Sequence, residues 1–315
     1  MSGKMKSETK RSDTCCIIVT YNAMKWIDRC IGSILASDQK SDIILIDNCS
    51  SDDTLAHIEK KYPQVHVIVN QENEGFGGAN NQGIAYAFSQ GYSYFFLLNQ
   101  DAWVDEYTLR RLRDQLIENP DYGIVSPIHL KGDRSGYDQL FYTFVSEDVS
   151  DDFLANINQE SNLSEVHFVN AAAWLISKSC IKQVGLFHPL FFHYGEDFNY
   201  VQRLINGGLR IGIVNDAFVV HDREDRPPSK IKFDPIKRFE RDLYIKLLDP
   251  SSRFGWISYG LYVSNRVKYL SKNLASDERE KLKKHALENF RLIYLKALNF
   301  DDSQLFLSKP NSPSK

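Results

Sequence analysis

The amino-acid sequence predicts an α/β protein: a mostly parallel sheet with helices on both faces, followed by a helical C-terminal segment. Three observations lead there. Short apolar runs of strand length alternate with segments of helical apolar spacing over roughly the first hundred residues. Asn- and Asp-rich polar stretches follow directly on those runs, as expected where parallel strands end at a ligand-binding edge. No apolar run reaches the ~18 residues that would span a membrane, so the runs belong to a folded core.

The elements follow in order. Cys15–Val19 is a short apolar strand, and Ile27, Cys30, Ile31, Ile34 and Leu35 then recur at helical spacing. Asp42–Ile46 is a second buried strand. The polar turn Asp47-Asn48-Cys49-Ser50-Ser51-Asp52 can cap the next helix, which turns Leu55 and Ile58 inward. Val65–Val69 is a third strand, Gly75–Gly78 a flexible loop, and Ala79–Gln90 a helix stopped by Gly91. Tyr94–Leu98 is a fourth strand, and a helix is expected over Val104–Leu116. From Lys131 to Glu165 the pattern fades into a long, locally acidic loop (Glu147, Asp148, Asp151, Asp152). Val166–Ile176 returns to strand character, with a short helix over Lys178–Val184 and an aromatic loop over Phe187–Tyr194. Glu196–Ile205 is a helix stopped by Asn206-Gly207-Gly208. Leu209–Val214 and Ala217–Val220 are strands ending at His221. Pro227-Pro228 and dense charge mark a linker from Arg223, and Ile236–Leu298 is mostly helical, basic and rich in Tyr and Leu. The expected organisation is a flexible leader over 1–13, a catalytic α/β domain over 14–222, and a linker with a helical segment over 223–315, ending in a loose tail.

Composition removes several function classes. A chain of 315 residues, 43% apolar and 25% charged, is too ordinary for a disordered protein. Its formal net charge of −3 argues against a dominant nucleic-acid face. The N-terminus is polar and basic and lacks the apolar stretch of a secretory signal. The five cysteines contain no CxxC pair. Reduced thiols in a cytoplasmic protein are expected, not a zinc site or a disulfide framework.

The residues after each strand are the candidate chemistry. Asp101 ends Asn99-Gln100-Asp101; at a sheet edge its carboxylate can serve a Mg²⁺ or Mn²⁺ that also binds a diphosphate, or it can cap the following helix. Asp47 can accept from the imide N–H of uracil or thymine, with Asn48 and Ser50 bonding ribose or the turn itself. In Asn73-Glu74-Gly75-Phe76-Gly77-Gly78-Ala79-Asn80-Asn81 the glycines allow close backbone approach and the helix start offers free N–H groups. Glu196-Asp197 opens a helix beside an aromatic loop, where a carboxylate can act as general base or complement the helix dipole. His221, at a strand end, can ligate a metal or simply hydrogen-bond.

The order of these pieces is more specific than any one of them. Ile17-Ile18-Val19-Thr20-Tyr21-Asn22, Ile46-Asp47-Asn48, Asn73 to Gly83, Leu97-Leu98-Asn99-Gln100-Asp101 and Gly195-Glu196-Asp197 together resemble the family 2 inverting glycosyltransferases. Within that family they are most similar to the rhamnosyltransferase-type enzymes of bacterial surface-polysaccharide assembly. The resemblance runs from Thr14 to His221. It implies a GT-A fold and a nucleotide-diphosphate sugar donor, and it puts Thr20, Tyr21, Asn22, Asp47 and Asn48 at the base and ribose. Asn73, Gly75, Gly78, Asn81, Asn99 and Gln100 complete the implied donor site. Asp101 falls on the last position of the family's DxD metal motif, whose first position is here Asn99. Asp197 falls on the catalytic base, with Glu196 beside it, and His221 on a downstream metal-binding histidine. No QxxRW motif follows, which argues against processive synthesis.

The resulting expectation is an inverting hexosyltransferase that uses a divalent metal. It would move one sugar from a UDP- or dTDP-sugar, such as dTDP-rhamnose, to a hydroxyl of a growing, lipid-linked cell-surface glycan. The C-terminal segment would either touch the inner membrane face peripherally or pack as a homodimer-forming unit. Two rival readings are a nucleotidyltransferase, which would want a basic glycine-rich loop after the first strand, and a catalytically degenerate nucleotide-sugar-binding subunit.

Overall fold

The computed structural model describes residues 12–146, 162–223, 234–252 and 255–307. The expected leader through Arg11, the acidic stretch at 147–161 and the linker at 224–233 lie outside the described residues. The N-terminal half is a run of strand–helix units: β1 (Thr14–Thr20), α1 (Ile27–Ala36), β2 (Asp42–Asp47), α2 (Thr54–Lys61), β3 (His66–Val69), α3 (Gly75–Ser89) and β4 (Tyr94–Asn99). Then come β5 (Ala102–Val104), α4 (Thr108–Glu118), β6 (Tyr122–Leu130), α5 (Gln139–Val145), β7 (Leu163–Val166), β8 (Ala173–Ser177), α6 (Lys178–Val184), α7 (Glu196–Asn206) and β9 (Arg210–His221). Three helices follow, α8 (Pro235–Leu247), α9 (Trp256–Leu270) and α10 (Ser276–Leu298).

The strands form a single sheet in the order β3-β2-β1-β4-β8-β6-β9-β5, with β7 also paired to β9. Strands β1 to β4 are mutually parallel, and β9 is parallel to β6. β8, β5 and β7 run antiparallel to their neighbours. Strand alternation divides the core. Cys15 and Ile17 of β1 face one apolar layer with α3, α5, α6 and α7, while Cys16 and Ile18 face the other with α1, α2 and α4. Each fully buried Ile contributes roughly 1.5–3 kcal/mol through removal from water. Helices α8 to α10 build a third apolar cluster around Phe239, Leu243, Tyr259 and Leu282. All five cysteines are free thiols, four of them buried.

Several boundaries differ from expectation, each for a physical reason. Gly75–Gly78 is not a loop but the first turn of α3. The expected strand Val166–Ile176 is two strands separated by an irregular segment over 167–172. The two strands expected after Leu209 are one, β9, bridged by hydrogen-bonded pairing to β6 on both sides of a register shift. β6 carries Gly123 and Pro127, which mute its strand pattern in sequence. The stretch read as a long loop contains α5, capped by Asp138. The tail does not run loose at its start, because Asp302–Leu305 forms a 3₁₀ turn and the Leu186 N–H donates to the Leu305 carbonyl at 2.8 Å.

Candidate active site

The parallel register sets the carboxyl ends of β1, β2 and β4 side by side: Thr20 pairs with Asp47 and Val19 with Asn99. The polar residues that follow therefore converge on one edge of the sheet. There the Thr20 hydroxyl donates to Asp47 Oδ1 at 3.1 Å, and the Ser50 N–H donates to Asp47 Oδ2 at 3.0 Å. Asn22 sits at φ +54°, and its Oδ1 accepts from the Ser51 N–H at 2.8 Å. Gln100 clasps the Tyr21 backbone, accepting from its N–H at 2.7 Å and donating to its carbonyl at 3.2 Å. The Tyr21 side chain is exposed, whereas Asp47 is buried.

Asn48 is buried and its amide is fully used. Nδ2 donates to Asn73 Oδ1 and the Gly75 carbonyl, while Oδ1 accepts from Asn70 Nδ2 and the Glu74 N–H. An amide has two donors and two acceptor sites, so this one ties the β2 turn to the start of α3. The glycines there answer to packing. Gly75 has φ +73°, and a Cβ on it would lie 1.9 Å from the Phe192 carbonyl oxygen. At Gly78 a Cβ would meet only Glu74 Cβ, at 3.3 Å. Asn81 holds the same aromatic loop, donating to the Phe187 carbonyl and accepting from the Phe187 N–H, both at 2.9 Å.

Asp101 and His221 meet because β5 pairs with β9, opposing Ala102 to His221. Both side chains are buried, with Asp101 Oδ1 3.5 Å from His221 Nε2. The Asn99 amide nitrogen lies 3.4 Å from that same ring nitrogen. Asp101 does not cap α4, which begins only at Thr108. Two ligands ~2.1 Å from one octahedral cation stand ~3 Å apart, so the 3.5 Å spacing of this pair is compatible with a shared Mg²⁺- or Mn²⁺-like ion. Among the described residues no three His, Cys, Asp or Glu side chains form a metal cage. Behind the ring, Nδ1 faces Asp138 Oδ2 at 3.9 Å and the Arg223 Nε–H at 3.2 Å. With Nδ1 accepting from Arg223, the ring proton sits on Nε2 toward Asp101; ligation through Nε2 would need the proton on Nδ1 and the Arg223 Nε–H given wholly to Asp138 Oδ2, already 2.9 Å away.

A cavity of about 400 Å³ adjoins this edge. Phe76, Phe144 and Phe198 supply apolar wall, and Asn99, Glu196 and Asp197 supply polar groups. Arg241 and Asp242 of α8 also line it, so the C-terminal segment contributes to the same cavity. Gly195, at φ +96°, turns the chain into α7 and lets Arg241 pass close above it. Glu196 is 4% exposed and its Oε2 has no hydrogen-bond partner. Burial, reinforced by the neighbouring Asp197 charge, pushes the Glu196 carboxyl up to about 8. Asp197 is also raised by burial, but less simply: its carboxylate accepts from the Phe198 N–H at 2.9 Å, and the Phe198 and Ala171 backbone and Arg223 favour its charged form. Burial thus raises both carboxyls, and the Asp197 charge lifts Glu196 further.

Four contributors escape the sequence pattern. Asp138 lies in the stretch read as a loop, yet it is buried and accepts from Arg223 Nε at 2.9 Å. Its signal was a helix N-cap before Gln139-Leu140-Phe141. Arg223, read as linker, returns to the site; Asp222 accepts from the Trp26 indole N–H at 2.8 Å. Arg241 had no local signal at all.

Comparison with known proteins gives the same assignment. Residues 15–185 match the family model described as Glycosyl transferase family 2. A low-salt glycan biosynthesis hexosyltransferase, Agl10 of Haloferax volcanii, is 22% identical over 84% of this chain and 89% of its own. The dTDP-rhamnosyl transferase RfbF of Shigella flexneri is 24% identical over 67% of this chain and 69% of its own. An N-acetylglucosaminyl-diphospho-decaprenol L-rhamnosyltransferase of Mycobacterium tuberculosis is 23% identical over 76% and 85%. Among solved structures, S. aureus TarS 1-349 in complex with UDP-GlcNAc superposes with a TM-score of 0.59 at 16% identity, covering 90% of this chain and 81% of that one. GalNAc-T7 with UDP, GalNAc and Mn²⁺ gives 0.60 at 14% identity, covering 95% and 59%. Both structural neighbours share the GT-A fold. With its motifs gathered at one sheet edge and more than half its length matched to the family model, this chain belongs to glycosyl transferase family 2 and is a glycosyltransferase.

Proposed function

We propose that the protein transfers one sugar from a UDP- or dTDP-sugar, dTDP-rhamnose being the favoured donor, to a hydroxyl of a growing cell-surface glycan, with inversion. The observation that carries this reading is the position of Asp197: a carboxyl on the wall of a cavity bounded by the donor-side residue Asn99. The acceptor hydroxyl attacks the anomeric carbon from the face opposite the diphosphate. A new C–O bond forms as the bond to the diphosphate breaks, and the hydroxyl proton passes to Asp197. Its raised pKa brings it nearer the working pH of a general base. Glu196 keeps its proton, donating to the acceptor or to the transferred sugar. Asp47, buried at the end of β2, accepts from the imide N–H of uracil or thymine, and the exposed Tyr21 ring lies against the base. A divalent cation held by Asp101 and His221 would neutralise charge on the departing diphosphate; the Mn²⁺ in GalNAc-T7 supports this for the fold.

The rhamnosyltransferase names among the relatives support the donor sugar, and the decaprenol diphosphate in one of them supports a lipid-linked acceptor. A nucleotide-sugar donor and such an acceptor would meet at the cytoplasmic face of a membrane. Among the described residues no helix is long and apolar enough to cross one. Thermal-shift screening with UDP-, dTDP- and GDP-sugars tests the reading. dTDP-rhamnose should raise the melting midpoint most; stronger stabilisation by GDP-sugars would overturn the role of Asp47.

A further inference from the structure

Helices α9 and α10 form an antiparallel pair whose outer surface is divided along its length. Where the C-terminal end of α9 meets the start of α10, Lys268, Lys272, Arg279 and Lys283 surround a hollow of about 490 Å³, with Ser264 and Ser271 also lining it. None of the four cations has an acidic partner within ion-pair distance among the described residues. The nearby Glu278 is turned back onto the Ala275 N–H at 3.3 Å. Ser271 is 7% exposed and its hydroxyl has no hydrogen-bond partner. Four cations without acidic partners, of which Arg279 also donates to the Leu274 carbonyl at 3.2 Å, and an unsatisfied buried hydroxyl match the chemistry of a phosphate-bearing anion.

The same two faces turn apolar away from the hollow. On α9, Ile257, Leu261, Ser264 and Lys268 follow at spacings of four, three and four, so they share one stripe. On α10, Lys283, Leu287, Tyr294 and Leu298 follow at spacings of four, seven and four. Ile257 is 79% exposed and Leu287 77%, with Leu261 and Leu298 also open to water. From Lys268 to Ile257 is eleven residues, ~16 Å along the helix. Residues 255–300 carry nine Lys and Arg against four Asp and Glu in a chain of net charge −3.

We propose that this hairpin is a membrane-docking surface for anionic phospholipid: a headgroup phosphate enters the Lys268–Lys272–Arg279–Lys283 hollow, and Ile257, Leu261, Leu287 and Leu298 dip into the acyl boundary. Phosphate and acyl chain are joined in one molecule, which is the chemistry this divided surface matches. A free phosphate would leave the apolar ridges in water. A second copy of the chain would bring two unpaired basic hollows together. The inference is independent of the donor and of the catalytic step, since it concerns a different part of the molecule.

The test is co-sedimentation of the full chain with vesicles of phosphatidylcholine, or of phosphatidylcholine mixed with phosphatidylglycerol, at low and high salt. The protein should pellet with the mixed vesicles and stay in solution with phosphatidylcholine alone. Each cation near an anionic surface is worth roughly fivefold in partitioning, so Lys268→Gln with Lys272→Gln should lose roughly 25-fold. Ile257→Ser with Leu261→Ser should lose roughly tenfold or more, with both variants melting as wild type. Equal binding to both vesicle types, or no effect of either double variant, would overturn the proposal. So would stabilisation by inorganic phosphate with no vesicle binding, or conversion of a wild-type dimer to a monomer by the Ser variants without change at vesicles.

Discussion

Glu196→Gln should make the protein more stable above neutral pH while leaving its acid-side stability almost unchanged. The buried Glu196 carboxyl titrates at about 8 in the folded protein, against an ordinary value of 4.5. Over that window the folded state holds a proton that the unfolded chain has released, so stability falls as pH rises. The slope is about 1.4 kcal/mol per pH unit. Between pH 5 and pH 9 the wild type should therefore lose up to about 4 kcal/mol at this site, an upper bound because local opening that admits water is a cheaper route. Protonated Glu and Gln are both neutral and similar in shape, so the variant and wild type should agree near pH 5. Gln cannot ionise, so their curves should separate steadily toward pH 9, with the variant more stable. Urea unfolding at constant ionic strength across pH 5–9, followed by fluorescence, measures the difference directly. Curves that stay parallel over the whole range would refute the argument that Glu196 keeps its proton through burial. Asp197→Asn in the same series removes the neighbouring charge and should flatten part of the wild-type slope.

Asp197→Asn should lower kcat by roughly 10²–10⁴ while calorimetric affinity for the nucleotide sugar persists; a near wild-type rate would move the base elsewhere. Asp101→Ala should weaken donor binding and remove metal-stimulated turnover, with Asn99→Ala costing less, because loss of a charged ligand leaves diphosphate and cation uncompensated. Equal losses in the two, or full turnover in EDTA, would remove Asp101 from that role. Gly75→Ala should destabilise by about 3 kcal/mol or more, since it adds both a left-handed backbone penalty and contact with the Phe192 carbonyl. Gly78→Ala, without either, should cost far less, and matching urea midpoints for the two would refute the packing account.

What the sequence determined by itself was whatever depends on neighbours in the chain. Cys15–Val19 and Tyr94–Leu98 read as strands because apolar runs of that length have few other uses, and the helix periods of Ile27–Ile34 and Glu196–Ile205 are equally local. The tripeptides after the strands were legible as site residues because a parallel sheet places every such end on one edge, whatever the details. Pairing across the sheet was not legible. β6 was hidden by Gly123 and Pro127, and its pairing with β8 and β9 made it a strand. The opposition of β5 to β9 brings Asp101 to His221 across 119 intervening residues, and nothing local encodes that contact. The glycine run was legible as unusual, but its reason was not: Gly75 is glycine because the Phe192 carbonyl, far along the chain, passes against it. The same holds for protonation. Glu196 and Asp197 are adjacent and identical in charge on paper, yet in the fold burial raises both, the Asp197 charge lifts Glu196 further, and different groups oppose it: the Tyr194 backbone and Arg241 at Glu196, the Phe198 and Ala171 backbone and Arg223 at Asp197. Tertiary structure decided these shifts, because desolvation and long-range hydrogen bonds exist only once the chain is packed.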